Sequence, residues 1–191
     1  MKDTQLAIFR AAEGIPLDEY KSMEGVYSPE VLAGLNKLYE AGVSDGYSSR
    51  VLFESADTNG FSLIYAWFKG NFPLTAHLHN ADCLYFVIGG ELTLGKGVGS
   101  EIVRVGDGFF VPAGHMYGYT AGPEGVEILE FRSVSKFNIE YKSQPPSAWA
   151  ALAAIIAANR CRWKTEAPPE RRAPRQSTPT LLAGRQKPKD C

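Results

Sequence analysis

Residues 70–90 read GNFPLTAHLHNADCLYFVIGG, and the alternation within them decides how the rest of the chain is read. Side chains along a strand point to opposite faces in turn. His77 and His79 therefore share a face, with Cα atoms about 6.8 Å apart, a spacing at which two imidazoles can converge on one ion. In an unbroken strand Cys83, Tyr85 and Val87 join that face, while Leu78, Asn80, Asp82, Leu84 and Phe86 take the other. Gly89-Gly90 predicts a positive-φ link between two hairpin strands. Residues 106–119, GDGFFVPAGHMYGY, place a tight turn at Pro112-Ala113-Gly114.

Outward from these stretches the chain keeps the same character. Short β-branched and aromatic runs at 50–54, 60–68, 75–87, 91–94, 101–105, 108–111, 116–120 and 126–132 are separated by Gly, Asn and Pro. Helical patterns do not alternate with them. The expected fold class is therefore all-β, an antiparallel jelly-roll or closed barrel. A helix is expected over about 29–41, with Ser28 as N-cap, Pro29 at its first turn, an apolar set at Val31, Leu32, Leu35, Leu38 and Tyr39, and Gly42 closing it. A second is expected in the Ala-rich run 148–158, capped by Ser147, with Trp149, Leu152, Ile155 and Ile156 at helical spacing. The expected organisation is an N-terminal segment (1–44), a barrel (45–144), a C-terminal helix (145–159) and a tail (160–191).

A chain of 191 residues with 45% hydrophobic and 12% aromatic side chains has room for one domain with a substantial core. Its net charge of −1 hides an asymmetry. Residues 1–159 carry 11 Lys and Arg against 18 Asp and Glu, net −7, whereas residues 160–191 carry 9 against 3, net +6. An acidic body argues against nucleic acid as a partner of the folded domain, because phosphate binding draws on clustered Lys and Arg. The tail, with five prolines in 32 residues and few large apolar side chains, reads as disordered. No apolar run has the length of a membrane span or of a signal-peptide core, so a soluble cytoplasmic protein is expected, with no membrane partner. Three cysteines at 83, 161 and 191, with no CxxC, are expected to be reduced thiols.

Together the two quoted stretches resemble the paired motifs of the cupin superfamily. The first of those motifs is G, a short spacer, HxH, three or four residues, E, six residues and G; the second is G, five residues, PxG, two residues and H. Gly106, Pro112 and Gly114 fit, as do His77 and His79, and Gly90 follows Cys83 as it would follow the family's glutamate. The glutamate position holds Cys83, and the second-motif histidine position holds Tyr117. The resemblance implies a divalent transition metal (Fe, Mn, Zn, Ni or Cu) on His77 and His79. His115, two residues before the replaced histidine, would in an extended strand share a face with Tyr117 and Tyr119 and serve as third ligand, or, as part of the turn, sit at the barrel mouth. It further implies a small organic ligand and a homodimer, paired through an edge strand, the 6–9 segment or the 148–158 helix. Cys83 or Tyr117 would be the catalytic candidates of a metal-dependent oxygenase. Thiol dioxygenases carry a cysteine at the same place, which can be linked to a tyrosine, here Tyr117 or Tyr85. The alternative is a metal-free barrel binding a small ligand between Tyr85, Tyr117, Tyr119, Trp67 and Cys83. Asp82 has the wrong parity for a ligand, and Glu130 shares a face with Val126 and Ile128, which would put a carboxylate inside the barrel.

Overall fold

The structure, a computed structural model, describes residues 7–20, 23–57, 59–95 and 99–167. The tail expected beyond residue 167 lies outside them. Ten strands and two helices follow in chain order: β1 Ile15–Pro16, β2 Met23–Val26, α1 Pro29–Ala41, β3 Tyr47–Glu54, β4 Ser62–Phe68, β5 His77–Leu78, β6 Cys83–Leu94, β7 Glu101–Arg104, β8 Gly108–Val111, β9 Tyr119–Arg132, β10 Phe137–Tyr141 and α2 Pro146–Thr165. Seven strands form one sheet in the order β1-β3-β4-β9-β6-β7, with β8 also paired to β6; the second sheet is β2-β10-β5. All pairings are antiparallel except β2 with β10. The expected all-β fold with flanking helices is the one observed, and the two sheets enclose the cavity described below.

Helix α1 starts where the sequence places it. The Ser28 hydroxyl accepts from the Val31 N–H at 3.3 Å, Pro29 occupies the first turn, and Gly42 adopts φ 98° at the C-terminal end. Its buried face is Val31, Gly34 and Leu38, and a Cβ at Gly34 would run into the Trp149 indole of α2, so only glycine permits this approach. Among the described residues, no helix is long and apolar enough to cross a membrane.

Three expectations are corrected. The Gly89-Gly90 pair does not separate two strands: β6 runs through it, and the pair sits at register shifts against β9 that bend one long strand. Helix α2 does not begin at a Ser147 cap, since Pro145 is its N-cap residue and no side chain caps it. Nor does it stop at Asn159, because the stripe of Trp149, Leu152 and Ile156 continues to Trp163, which is fully buried. The Trp163 indole N–H donates to the Gly70 carbonyl at 2.9 Å and its ring packs on Phe72. Arg160 meets Asp45 at 2.8 Å. The polar composition after Asn159 thus conceals one more buried anchor, and Trp149, Leu152, Ile156 and Trp163 pack within the chain.

Trp163→Ala is expected to lower the unfolding free energy by about 3–5 kcal/mol through a core cavity, as urea denaturation would read. A loss below about 1 kcal/mol would mean that residues 160–165 are not part of the folded unit.

Candidate functional site

Strand parity on β9 turns Val126, Ile128, Glu130 and Arg132 inward, and all four are buried. On β6 the inward set is Cys83, Tyr85 and Val87, as the alternation predicts. Register then sets Tyr85 opposite Glu130 and Cys83 opposite Arg132. His77 is held across from Tyr117 by reciprocal backbone bonds of 2.9 and 3.0 Å, and from Tyr141 by the β5–β10 pairing. The Pro112–Gly114 turn docks here as well. Gly114, at φ 77°, donates its N–H to the His79 carbonyl, and Ala113 donates to Asp82 Oδ1. Asp82 is therefore a turn-capping group outside the barrel, in keeping with its parity.

These side chains form one polar cluster in the wall of a cavity of about 450 Å³. Arg132 Nη2 meets Glu130 Oε1 at 2.7 Å, and the guanidinium carbon sits over the Phe137 ring, 3.7 Å from its centre. The Tyr85 hydroxyl donates to Glu130 and is also bonded to the Tyr117 hydroxyl, whose oxygen is 2.9 Å from His77 Nε2. His77 Nδ1 donates to the Thr75 carbonyl at 2.8 Å, and His79 Nδ1 to the Asn138 carbonyl at 2.6 Å. Each imidazole therefore presents Nε2 as an acceptor while neutral.

Burial, then the neighbouring His79, lowers the His77 pKa to about 4; burial, then Arg132, does the same for His79. Tyr85, Tyr117 and Tyr119 are all pushed well above the ordinary phenol value, mainly by burial. Neutral histidine and ionised Glu130 leave three links, His77–Tyr117, Tyr117–Tyr85 and Tyr85–Glu130, with only two phenolic protons to fill them. One further proton completes the chain, so the arrangement can pass a proton between Glu130 and His77 through both phenols.

His77, His79, Tyr85, Tyr117 and Tyr119 come together as expected, but three other candidates do not line the cavity. His115 is exposed: it belongs to the turn, where its N–H bonds to Pro112, so the extended parity that would swing it inward does not apply. Trp67 lies on the opposite face of β4 from the lining residues Ile64, Ala66 and Phe68, with Lys69 over its ring. Cys83 is buried behind the wall, its thiol directed at the Ala81 carbonyl. The sequence reading missed Arg132 altogether. The signal was present, because Arg132 stands two residues after Glu130 and shares its face.

No protein-family model matches the sequence, and no curated protein matches it significantly. Solved structures similar to this chain include an RmlC-like cupin from Shewanella frigidimarina (21% identity over 46% of this chain and 76% of that one, TM-score 0.40). They also include the polyketide cyclase RemF from Streptomyces resistomycificus (18%, 59% and 82%, TM-score 0.47) and a protein with a double-stranded β-helix domain from Klebsiella pneumoniae (18%, 52% and 81%, TM-score 0.45). The first of these is described as a cupin, the class that residues 70–90 and 106–119 resemble; the fold assignment rests on the chain's own strand topology.

A metal is what that resemblance implies, and the donor set tests it. His79, Cys83 and Glu130 bring three potential ligand atoms within 4.8 Å of one another. As arranged, they do not fit a divalent ion. His77 Nε2 is engaged by Tyr117, the Cys83 thiol is pushed up to about 11 by burial and Glu130, and Glu130 is already paired with a buried cation. An incoming ion would have to displace Arg132 or bind beside it.

Both histidines should stay neutral through the mildly acidic range, so their imidazole proton resonances are expected not to titrate between pH 7.5 and 5. Their folded pKa values lie below the unfolded value, so the unfolded chain binds the extra protons. Stability is then lost as pH falls from about 6.5 toward 4, at about 1.4 kcal/mol per pH unit for each histidine. Titration of either resonance near pH 6.5 would contradict the site described.

Proposed function

We propose that this chain, a barrel similar in fold to cupins, binds a small organic molecule in its cavity without a metal ion. The observation that carries the reading is the Arg132–Glu130–Tyr85–Tyr117–His77 chain, which already engages Glu130 and His77 Nε2, two of the donors an ion would need. A volume of about 450 Å³ suits one compact ligand. Its walls match that role, with Phe68, Phe72, Tyr47 and Tyr119 offering apolar surface and the His–Tyr–Glu–Arg cluster fixing orientation.

A second reading keeps the metal. The convergence of His79, Cys83 and Glu130 favours it, and it requires Arg132 to leave Glu130 and Cys83 to lose its proton. Oxygenase chemistry of the thiol-dioxygenase kind belongs to this reading alone, because activation of oxygen needs the ion.

The two readings separate in one experiment. Protein purified without nickel columns or chelators is expected to carry far less than one equivalent of Fe, Mn, Zn, Ni or Cu, and its melting temperature is expected not to rise with any of these ions. Near one equivalent of a single metal, lost in His79→Ala and retained in a surface control such as His115→Ala, would overturn the metal-free reading.

A further inference from the structure

We infer that the ligand is a small organic acid whose carboxylate is held by the free N–H groups of Arg132. This rests on the proposed small-molecule reading of the cavity and deepens it by naming the ligand class. Arg132 is 3% exposed and lines the cavity, yet among the described residues its Nε and Nη1 have no hydrogen-bond partner. Only Nη2 meets an oxygen, that of Glu130. The Cys83 thiol interacts with the guanidinium electrostatically and through a weak side-chain hydrogen bond, but sulfur is a weak acceptor and does not substitute for oxygen.

A buried guanidinium with two nitrogens lacking an oxygen acceptor is costly unless something else completes it. The side chain cannot relax away from the cavity. Phe137 covers one face, Glu130 holds one end, and the backbone is fixed by the pairing of Arg132 with both Ser62 and Cys83. Its unmet donors are therefore held in place for an acceptor that arrives from the cavity. An anionic oxygen meets that need with charge-assisted bonds.

The rest of the lining narrows the class. Arg132 is the only Lys or Arg among the described lining residues, and Glu130 already offsets its charge. A phosphate, carrying close to two charges, would lack a second cation, whereas a carboxylate needs no more than Arg132 offers. The His79 Nε2 acceptor beside this pair and the phenol walls suit an acid with an aromatic or hydroxylated body.

The test compares three acids with their neutral isosteres: benzoate with benzamide, 4-hydroxybenzoate with 4-hydroxybenzamide, and isobutyrate with isobutyramide. Binding is read by calorimetry, together with the Arg132 Nε–H resonance in nitrogen-15 spectra of the intact chain. At least one acid is expected to bind about tenfold or more tightly than its amide and to shift that resonance. Arg132→Gln alone would strand Glu130 and could unfold the barrel, so the paired variant Glu130→Gln/Arg132→Gln is used, in which the preference is expected to disappear. Equal binding of acid and amide, or acid binding that leaves the Arg132 resonance unmoved, overturns the carboxylate inference while the small-molecule reading stands. No binding by any of the six overturns both.

Discussion

The Glu130–Arg132 ion pair is the constraint around which the interior is arranged. Two charges buried at 2.7 Å in a barrel wall repay their desolvation only when geometry is tight and the remaining polar atoms find partners. The surroundings supply part of these, and among the described residues Arg132 Nε and Nη1 find no partner. Tyr85 from β6 donates to the carboxylate, and Phe137 from β10 lies under the guanidinium. Both sheets are thereby tied to one pair on β9. Losing either charge alone would leave the other buried and uncompensated, at a cost of about 3–5 kcal/mol.

The pair also sets the electrostatics of the histidine strand. Arg132 adds to burial in keeping His79 neutral, and Glu130 adds to burial in keeping the Tyr85 and Tyr117 phenols protonated. The resulting chain from Glu130 to His77 is one proton short, a condition that a ligand donor or a proton can relieve. The same pair separates this interior from a metal centre. Three donor atoms do converge, but a fixed buried cation stands among them, and the nearest thiol is held in its neutral form. On the proposed reading this site takes an anionic or hydrogen-bonding organic molecule, and a divalent cation would first have to displace Arg132.

Strand parity made much of this legible in advance. The alternation at 77–87 correctly turned Cys83, Tyr85 and Val87 inward, and the same rule placed Glu130 inside and Asp82 outside. Parity fails where the backbone is not extended. His115 was expected to follow Tyr117 and Tyr119 inward, but it belongs to the Pro112–Gly114 turn and points to solvent. Parity also does not say which face of a doubly buried strand meets the cavity. Every residue of β4 is buried, so Trp67 could be assigned to either side by burial alone, and it lies on the side away from the lining residues.

The sequence by itself determined the all-β class, the capped helix at 29–41, the turn at 112–114 and the inward pairing of His77 with His79. These depend on local rules, a period of two, an N-cap and a proline–glycine turn, each acting over a few residues. Only the tertiary structure decided what the histidines face. Arg132 lies more than fifty residues from His77 in sequence. It reaches the site because β9 pairs with β6 in a register that sets Arg132 against Cys83 and Glu130 against Tyr85. Register between distant strands comes from the whole sheet, from its bulges at Val87/Gly89 and Gly90/Leu92 as much as from its hydrophobic pattern. For that reason the histidine motif could be read from the sequence, whereas the buried cation that decides what the motif can bind appears only in the fold.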